Sequence, residues 1–377
     1  MKIYLVGGAI RDKLLELPVK ERDYVVVGAT VADMLKLNYR QVGKEFPVFL
    51  HPKTNEEYAL ARMERKVKPG YQGFEFDTSP AVSLKDDLLR RDLTINAMAM
   101  DLDTQALIDP YHGQADIQHK ILRHVSAAFS EDPVRILRIG RFYARYAYLG
   151  FHIADETLAL MRQMVTSGEV NALVAERVWK ELDRALGEKN PENFFAVLEN
   201  INAMTILFPH LASDGAGMQA LRAATTLSTD TEIRFAALLF NLPEDHTNKS
   251  DCRKILGDFC NRYRVPNAYR ELAQLTALHH ENALQAAHLS AEELLQLFTM
   301  LDIFRRETRF KKFLIACEAI AISQRRRINT NWLLACAEQA RTIDVQAFIA
   351  KGFSGNELAA KLKQERQEKI EAWLLKH

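Results

Sequence analysis

The 377-residue sequence carries almost no net charge: 50 Lys and Arg against 49 Asp and Glu leave +1. Overall basicity therefore gives no sign of a nucleic-acid partner, and any such surface must be local. Cysteine is scarce as well. Cys252, Cys260, Cys317 and Cys336 show neither the close pairing of a disulfide framework nor metal-ligand spacing. They read as free thiols of a reducing compartment, mostly filling core. No apolar run approaches the ~20 residues needed to cross a bilayer, and the N-terminus opens directly into a strand pattern; the sequence reads as cytoplasmic, with no membrane partner. Residues 211–377 show no internal repeat, and the histidines, His279-His280 included, lack a partner pattern. With 48% hydrophobic and 26% charged residues it is not a disordered chain, and its length suffices for two or three domains with a substantial core.

What is present concentrates in the first 150 residues. Lys2-Ile3-Tyr4-Leu5-Val6 reads as a short apolar strand that runs into Gly7-Gly8 and then a helix start. Backbone N–H groups around Gly8, with Arg11, can there face an anionic group. Glu21-Arg22-Asp23 heads the β-branched run Tyr24-Val25-Val26-Val27, and side chains at i and i+2 of a strand share a face. Two adjacent carboxylates repel unless a cation or a proton lies between them, and hard oxygen ligands with a triphosphate completing the shell are the usual way of binding Mg²⁺. Either piece alone is common, since a glycine pair is often just a turn. Both within one βα unit point to chemistry.

Further along, strand 2–6, a helix near 9–16, strand 23–28, helix 30–36 and strands 46–50 and 56–61 make an α/β palm with a small mixed sheet. Glu57, with small or apolar residues at 59 and 61 on its face, can approach Glu21 and Asp23 across that sheet as a third acid. Residues 63–86, rich in glycine, proline and aromatics, read as a functional loop. In Arg90-Arg91-Asp92-Leu93-Thr94-Ile95-Asn96, Arg91 can bind triphosphate oxygens while Asp92 and Asn96 can bond sugar hydroxyls. From about 117 helix periodicity takes over. Ser130 or Asp132 can cap a helix whose first turn takes Pro133, and Arg135, Arg138, Arg141 and Arg145 recur at i+3 or i+4 as a basic stripe. Other basic clusters are Arg62, Arg65, Lys66 and Lys68, the pair Arg90-Arg91, and Arg325-Arg326-Arg327, the last most simply a solvated helix face.

In this order, Gly7-Gly8-Ala9-Ile10-Arg11-Asp12, Glu21-x-Asp23, Arg90-Arg91-Asp92-Leu93-Thr94-Ile95-Asn96-Ala97 and Glu131-Asp132-Pro133-Val134-Arg135 resemble the motifs of class II tRNA nucleotidyltransferases, the CCA-adding enzymes, with bacterial poly(A) polymerases in the same group. The resemblance covers roughly residues 1–150. It implies an α+β protein: a small mixed-sheet nucleotidyltransferase head at 1–116, a helical neck at 117–210 with a nucleotide-recognition helix, and a helical body and tail at 211–377. It implies addition of C, C and A to the tRNA 3′ end from CTP and ATP, with Mg²⁺ on Glu21 and Asp23 and Glu57 helping. Asp92 would contact the ribose, and Asp132 and Arg135 would present donors and acceptors to the base in place of a nucleic-acid template. Arg138 and Arg141 would anchor phosphates, with Arg11 joining them, and the helical body would hold the acceptor and T arms of tRNA by shape.

The sequence departs from the family at two places. Where many relatives carry a His-Asp metal dyad of a C-terminal phosphohydrolase domain, this chain has Phe240-Asn241 after Arg234-Phe235-Ala236-Ala237-Leu238. Phenylalanine cannot ligate a metal, so the tail reads as a degenerate version without phosphohydrolase activity. Glu21 stands where the family almost always has aspartate, which lengthens one expected metal ligand by a methylene. The alternatives are an enzyme adding only A, a poly(A) polymerase, or an RNA-binding relative with a weakened catalytic site.

Overall fold

The strands near the N-terminus are apolar on both faces because both are covered. In β1 (Lys2–Val6) and β2 (Asp23–Val27), Tyr4, Val6 and Val25 join one apolar cluster with Val82, Leu88 and Ala99. Val26 joins a second cluster on the opposite face with Met34, Phe49 and Tyr58, and Ile3 and Tyr24 pack against it. A computed structural model describes residues 1–42, 47–66, 74–242 and 249–376. It divides the chain into two compact units, Met1–Leu207 and Phe208–His377.

The first unit holds the expected mixed sheet. With β3 (Arg40–Gln41), β4 (Val48–Leu50), β5 (Glu57–Leu60), β8 (Ala99–Asp101) and β9 (Leu107–Ile108), the strand order is β3-β4-β5-β2-β1-β8-β9. β1 runs antiparallel to β2 and β8, and β2 runs parallel to β5. Helices α1 (Gly8–Leu14) and α2 (Val31–Lys36) follow β1 and β2.

The stretch 63–86 is more regular than a loop. β6 (Met63–Lys66) and β7 (Phe74–Asp77) form an antiparallel hairpin, followed by α3 (Leu84–Leu89), which the Ser83 and Asp86 capping box starts. The charges at 64–66 hid the strand alternation. The run 67–73, with Lys68, lies outside the described residues. After α4 (Gly113–His119) come α5 (Val134–Tyr146), α6 (Asp155–Thr166), α7 (Ala175–Leu186), α8 (Glu192–Asn200) and α9 (Met204–Leu207). The expectation of helices only beyond 117 needs one correction. β10 (Ile121–Leu122) and β11 (His152–Ile153) pair in parallel, too short to show a period-2 pattern.

Among its described residues the second unit is helical, from α10 (Ala216–Leu227) to a last helix at Gly355–Leu374. Small residues let its helices approach: Ala220, Ala224, Ala237 and Ala319 share a core with Phe240 and Ile320. A Cβ at Gly217 would lie 2.1 Å from the Leu238 carbonyl oxygen, so that crossing tolerates only glycine. Gly217→Ala is expected to destabilise this unit by about 3 kcal/mol, the upper end for overpacking because the obstacle is backbone; the denaturant midpoint measures it. Cys260, Cys317 and Cys336 are buried thiols outside any disulfide, and desolvation pushes the Cys260 thiol up to about 11 and Cys336 to about 12. Arg325-Arg326-Arg327 follows the helix Glu307–Ser323 as a turn and is not a helix face; Arg326 is tied to Glu281 at 2.7 Å. Among the described residues no helix is long and apolar enough to cross a membrane.

Candidate nucleotide-binding site

The first unit contains a cavity of about 540 Å³ walled by several parts of the chain, within the usual size of small-ligand sites. The β1–α1 turn contributes Gly7, Gly8 and Arg11. Asp23 at the head of β2 and Glu21 just before it contribute two acids, and the segment after α3 contributes Arg90, Arg91, Asp92 and Asn96. Asp132 and the face of α5 supply the opposite wall with Arg135, Arg138, Arg141 and Arg145. Of the residues singled out in the sequence, all but Glu57 line this cavity. Its lining holds ten arginines and five carboxylates, an excess of about five positive charges. That local excess, invisible in the +1 total, suits a polyanion such as a triphosphate.

Glu57 is in register with Asp23 on the neighbouring parallel strand, but it is exposed and does not line the cavity. The sheet carries it one strand further from β1, whose end forms the turn at the cavity. Among the described residues no group of three His, Cys, Asp or Glu is arranged to hold a metal, so Glu21 and Asp23 are the pair that the cavity offers. Partial removal from water raises the Asp23 carboxyl above its ordinary value; Arg91 opposes this and the charge of Glu21 adds to it.

Gly7 has φ +69°, a left-handed conformation that favours glycine, and a Cβ there would stand 2.8 Å from Arg91 Nη1. The turn thus brings its backbone close to that guanidinium. Arg11 is buried. Its Nε donates to Asp12 at 2.9 Å, it also bonds Asn96 Oδ1, and its guanidinium lies over the Phe142 and Tyr146 rings. Asn96 in turn donates to Asp92 Oδ1 at 3.0 Å, and Arg138 Nε donates to Asp92 Oδ2 at 2.7 Å. Burial alone would raise the Asp92 carboxyl, but Arg138 and Asn96 outweigh it and hold the group well below its ordinary range. Asp92 and Asn96 therefore form part of a buried network that spans the β1–α1 turn and α5. Arg141 Nε donates to buried Glu181 at 2.7 Å. Arg135 donates to the backbone carbonyls of Ala128 (2.8 Å) and Arg90 (2.6 Å).

Sequence reasoning missed several residues in or behind this wall. Asp87 is fully buried and accepts from Arg90 at 2.7 Å and Arg91 at 3.2 Å. Its i,i+3 and i,i+4 spacing to those arginines was a readable signal. Glu64 accepts from Arg62 at 2.8 Å and Arg90 at 2.9 Å. Arg177 and Arg184, both on α7, also line the cavity, and no local pattern distinguished them from surface charges.

Residues 3–123 match the poly(A) polymerase head domain, and residues 150–214 match a domain described as a probable RNA and SrmB binding site of polymerase A. Multifunctional CCA proteins of Thioalkalivibrio sulfidiphilus and Teredinibacter turnerae are each 47% identical to the chain. Both alignments cover 98% of this chain, with 98% and 97% of those proteins. The fold is similar to an apo CCA-adding enzyme (TM-score 0.70, 22% identity, covering 99% of this chain and 91% of that one). It is similar also to a Thermotoga maritima CCA-adding enzyme complexed with tRNA (TM-score 0.69, 20% identity, 98% and 87%). At full length and at this identity, the chain belongs to the family of CCA-adding enzymes.

Proposed function

We propose that this cavity is where the chain adds C, C and A in turn to the 3′ end of tRNA, taking CTP and then ATP and releasing pyrophosphate. The observation that carries the reading is the meeting, in one cavity, of the Glu21 and Asp23 carboxylates, an arginine wall and the polar pair Asp132 and Arg135. Nucleotidyltransferases of this family are metal-dependent as a rule, and the donor set fits a hard divalent cation: two like charges side by side, one held partly out of water. Glu21 and Asp23 would hold Mg²⁺, which when bound lowers the cost of ionising the attacking hydroxyl and neutralises the triphosphate.

The tRNA 3′ oxygen forms the new bond to the α-phosphorus as the bond to pyrophosphate breaks. The chain's own part is orientation and charge stabilisation. Arg91 beside the Gly7 turn and Arg138 on α5 face the phosphates. Arg11 and Arg141, both tied to acids, set the field behind them. Gly8 lets the nucleotide approach the backbone, and Asp92 with Asn96 forms the floor beneath the sugar. Asp132 accepts from the exocyclic amino group that cytosine and adenine share, and Arg135 donates with N–H groups beyond the two bonded to backbone carbonyls.

We assign residues 1–116 to the catalytic head, 117–210 to the neck and 211–377 to a helical body and tail that takes the acceptor and T arms of tRNA. Work on tRNA fits the cytoplasm. The tail lacks phosphohydrolase chemistry in this reading. Phe240 fills core, and its ring meets the His280 ring edge-on at 5.0 Å, while the His280 Nδ1–H donates to the Thr276 carbonyl at 2.9 Å. The test is extension of tRNA lacking its terminal trinucleotide. CTP alone should add two nucleotides, ATP alone none, and the two together three. Extension by ATP alone would instead indicate an A-adding or poly(A) enzyme, and turnover of neither nucleotide an RNA-binding relative.

A further inference from the structure

Asp132 does not meet the cavity with all its acceptor capacity. Arg177, in the first turn of α7, grips it with both arms of its guanidinium: Nη1–H donates to Oδ1 at 3.0 Å and Nη2–H to Oδ2 at 2.8 Å. Oδ1 also accepts the Val134 backbone N–H at 3.2 Å. A carboxylate offers about four lone-pair directions, two on each oxygen. Those of Oδ1 are both taken, and Oδ2 has one left. Both side chains line the cavity and keep partial exposure, 19% for Asp132 and 29% for Arg177, so this remaining direction is open to a ligand.

We propose that Arg177 is a specificity-determining positioning residue: its two-armed grip fixes the Asp132 carboxylate so that a single Oδ2 acceptor meets the nucleobase. The inference rests on the reading of Asp132 as a base contact given above. A lone acceptor in a fixed direction pairs with the amino groups of cytosine and adenine. It repels the carbonyl oxygen that uracil and guanine carry at the corresponding edge. Without the grip, the broad terminal torsion of the Asp132 side chain lets the carboxylate turn aside, and a carbonyl-bearing base no longer meets an acceptor. Discrimination between bases is thus a property of the pair.

Steady-state incorporation of CTP, ATP and UTP into tRNA lacking its terminal nucleotides tests this. Arg177→Ala should raise KM for CTP and ATP about tenfold, leave most of kcat in place, and reduce the preference for CTP over UTP about tenfold, the scale of losing a side chain's orientation while the Asp132 acceptor itself remains. Arg177→Lys, which keeps the charge without the fork, should stay nearly as indiscriminate. In an Asp132→Ala background, Arg177→Ala should add nothing further. Equal loss of kcat for all three nucleotides with the CTP preference intact, or full discrimination by Arg177→Lys, overturns the inference. Retained discrimination in Asp132→Ala overturns the base-contact reading itself, a different failure that Arg177 variants cannot produce.

Discussion

Asp23→Asn is expected to reduce nucleotide incorporation by about a thousandfold or more while the protein stays folded. Removing one preorganised stabiliser of developing charge already costs on the order of 10²–10³ in rate, and this change also removes a carboxylate from the pair proposed to hold the cation. Stability should move the other way. Desolvation, reinforced by Glu21 and opposed by Arg91, raises the Asp23 carboxyl in the fold. A carboxyl with a raised folded pKa binds its proton more tightly when folded, so its ionised form costs stability at neutral pH. The amide removes that cost. Without divalent ions the melting temperature of Asp23→Asn should equal or exceed that of the parent, and adding Mg²⁺ should stabilise the parent more than the variant. Calorimetry alongside the extension assay checks both. Normal incorporation by a folded Asp23→Asn protein removes the catalytic assignment.

Asp87→Asn is expected to cost about 3 kcal/mol of stability in the first unit, the lower end of what removing one partner of a buried ion pair costs, because Glu64 still meets Arg90. Burial would by itself raise the Asp87 carboxyl, but Arg90, Arg91 and Arg62 together lower it below its ordinary value. A lowered folded pKa contributes stability above the unfolded value of about 3.9 that is lost as pH falls through the folded one. The parent should therefore lose stability progressively below about pH 4, and Asp87→Asn should lose less over the same window. Hydrogen exchange of β1 and α3 amides across that range measures the change locally. An unchanged acid slope would mean that Asp87 carries no such linkage.

Much of the head was legible because its signals are local. Strands β1 and β2 announced themselves by apolar, β-branched-rich runs, β5 by alternation alone, and the Gly7-Gly8 turn by its position between strand and helix. The period of two predicts a shared face for the acids at 21 and 23, but β2 begins only at Asp23, and Glu21 reaches the cavity from the residues just before the strand. The hairpin β6–β7 was not legible, since Glu64, Arg65 and Lys66 break the apolar alternation. Nor was the absence of Glu57 from the cavity lining, because standing beside Asp23 in the sheet does not by itself bring a side chain to the wall. Arg177 illustrates the general limit: its partner lies 45 residues away, and no spacing rule connects α7 to the start of α5. Asp87 was readable in principle, since helix geometry alone predicts its arginine partners.

Several cations of the cavity are already tied to carboxylates on other elements: Arg91 to Asp87, Arg138 to Asp92, Arg141 to Glu181 and Arg177 to Asp132. Such tethers hold long, rotamer-rich side chains in place before any nucleotide arrives, so the entropy of arranging them is settled during folding and not during each turnover. An enzyme that must accept two different nucleotides in succession through one opening can then exchange them without rebuilding its electrostatic environment between additions.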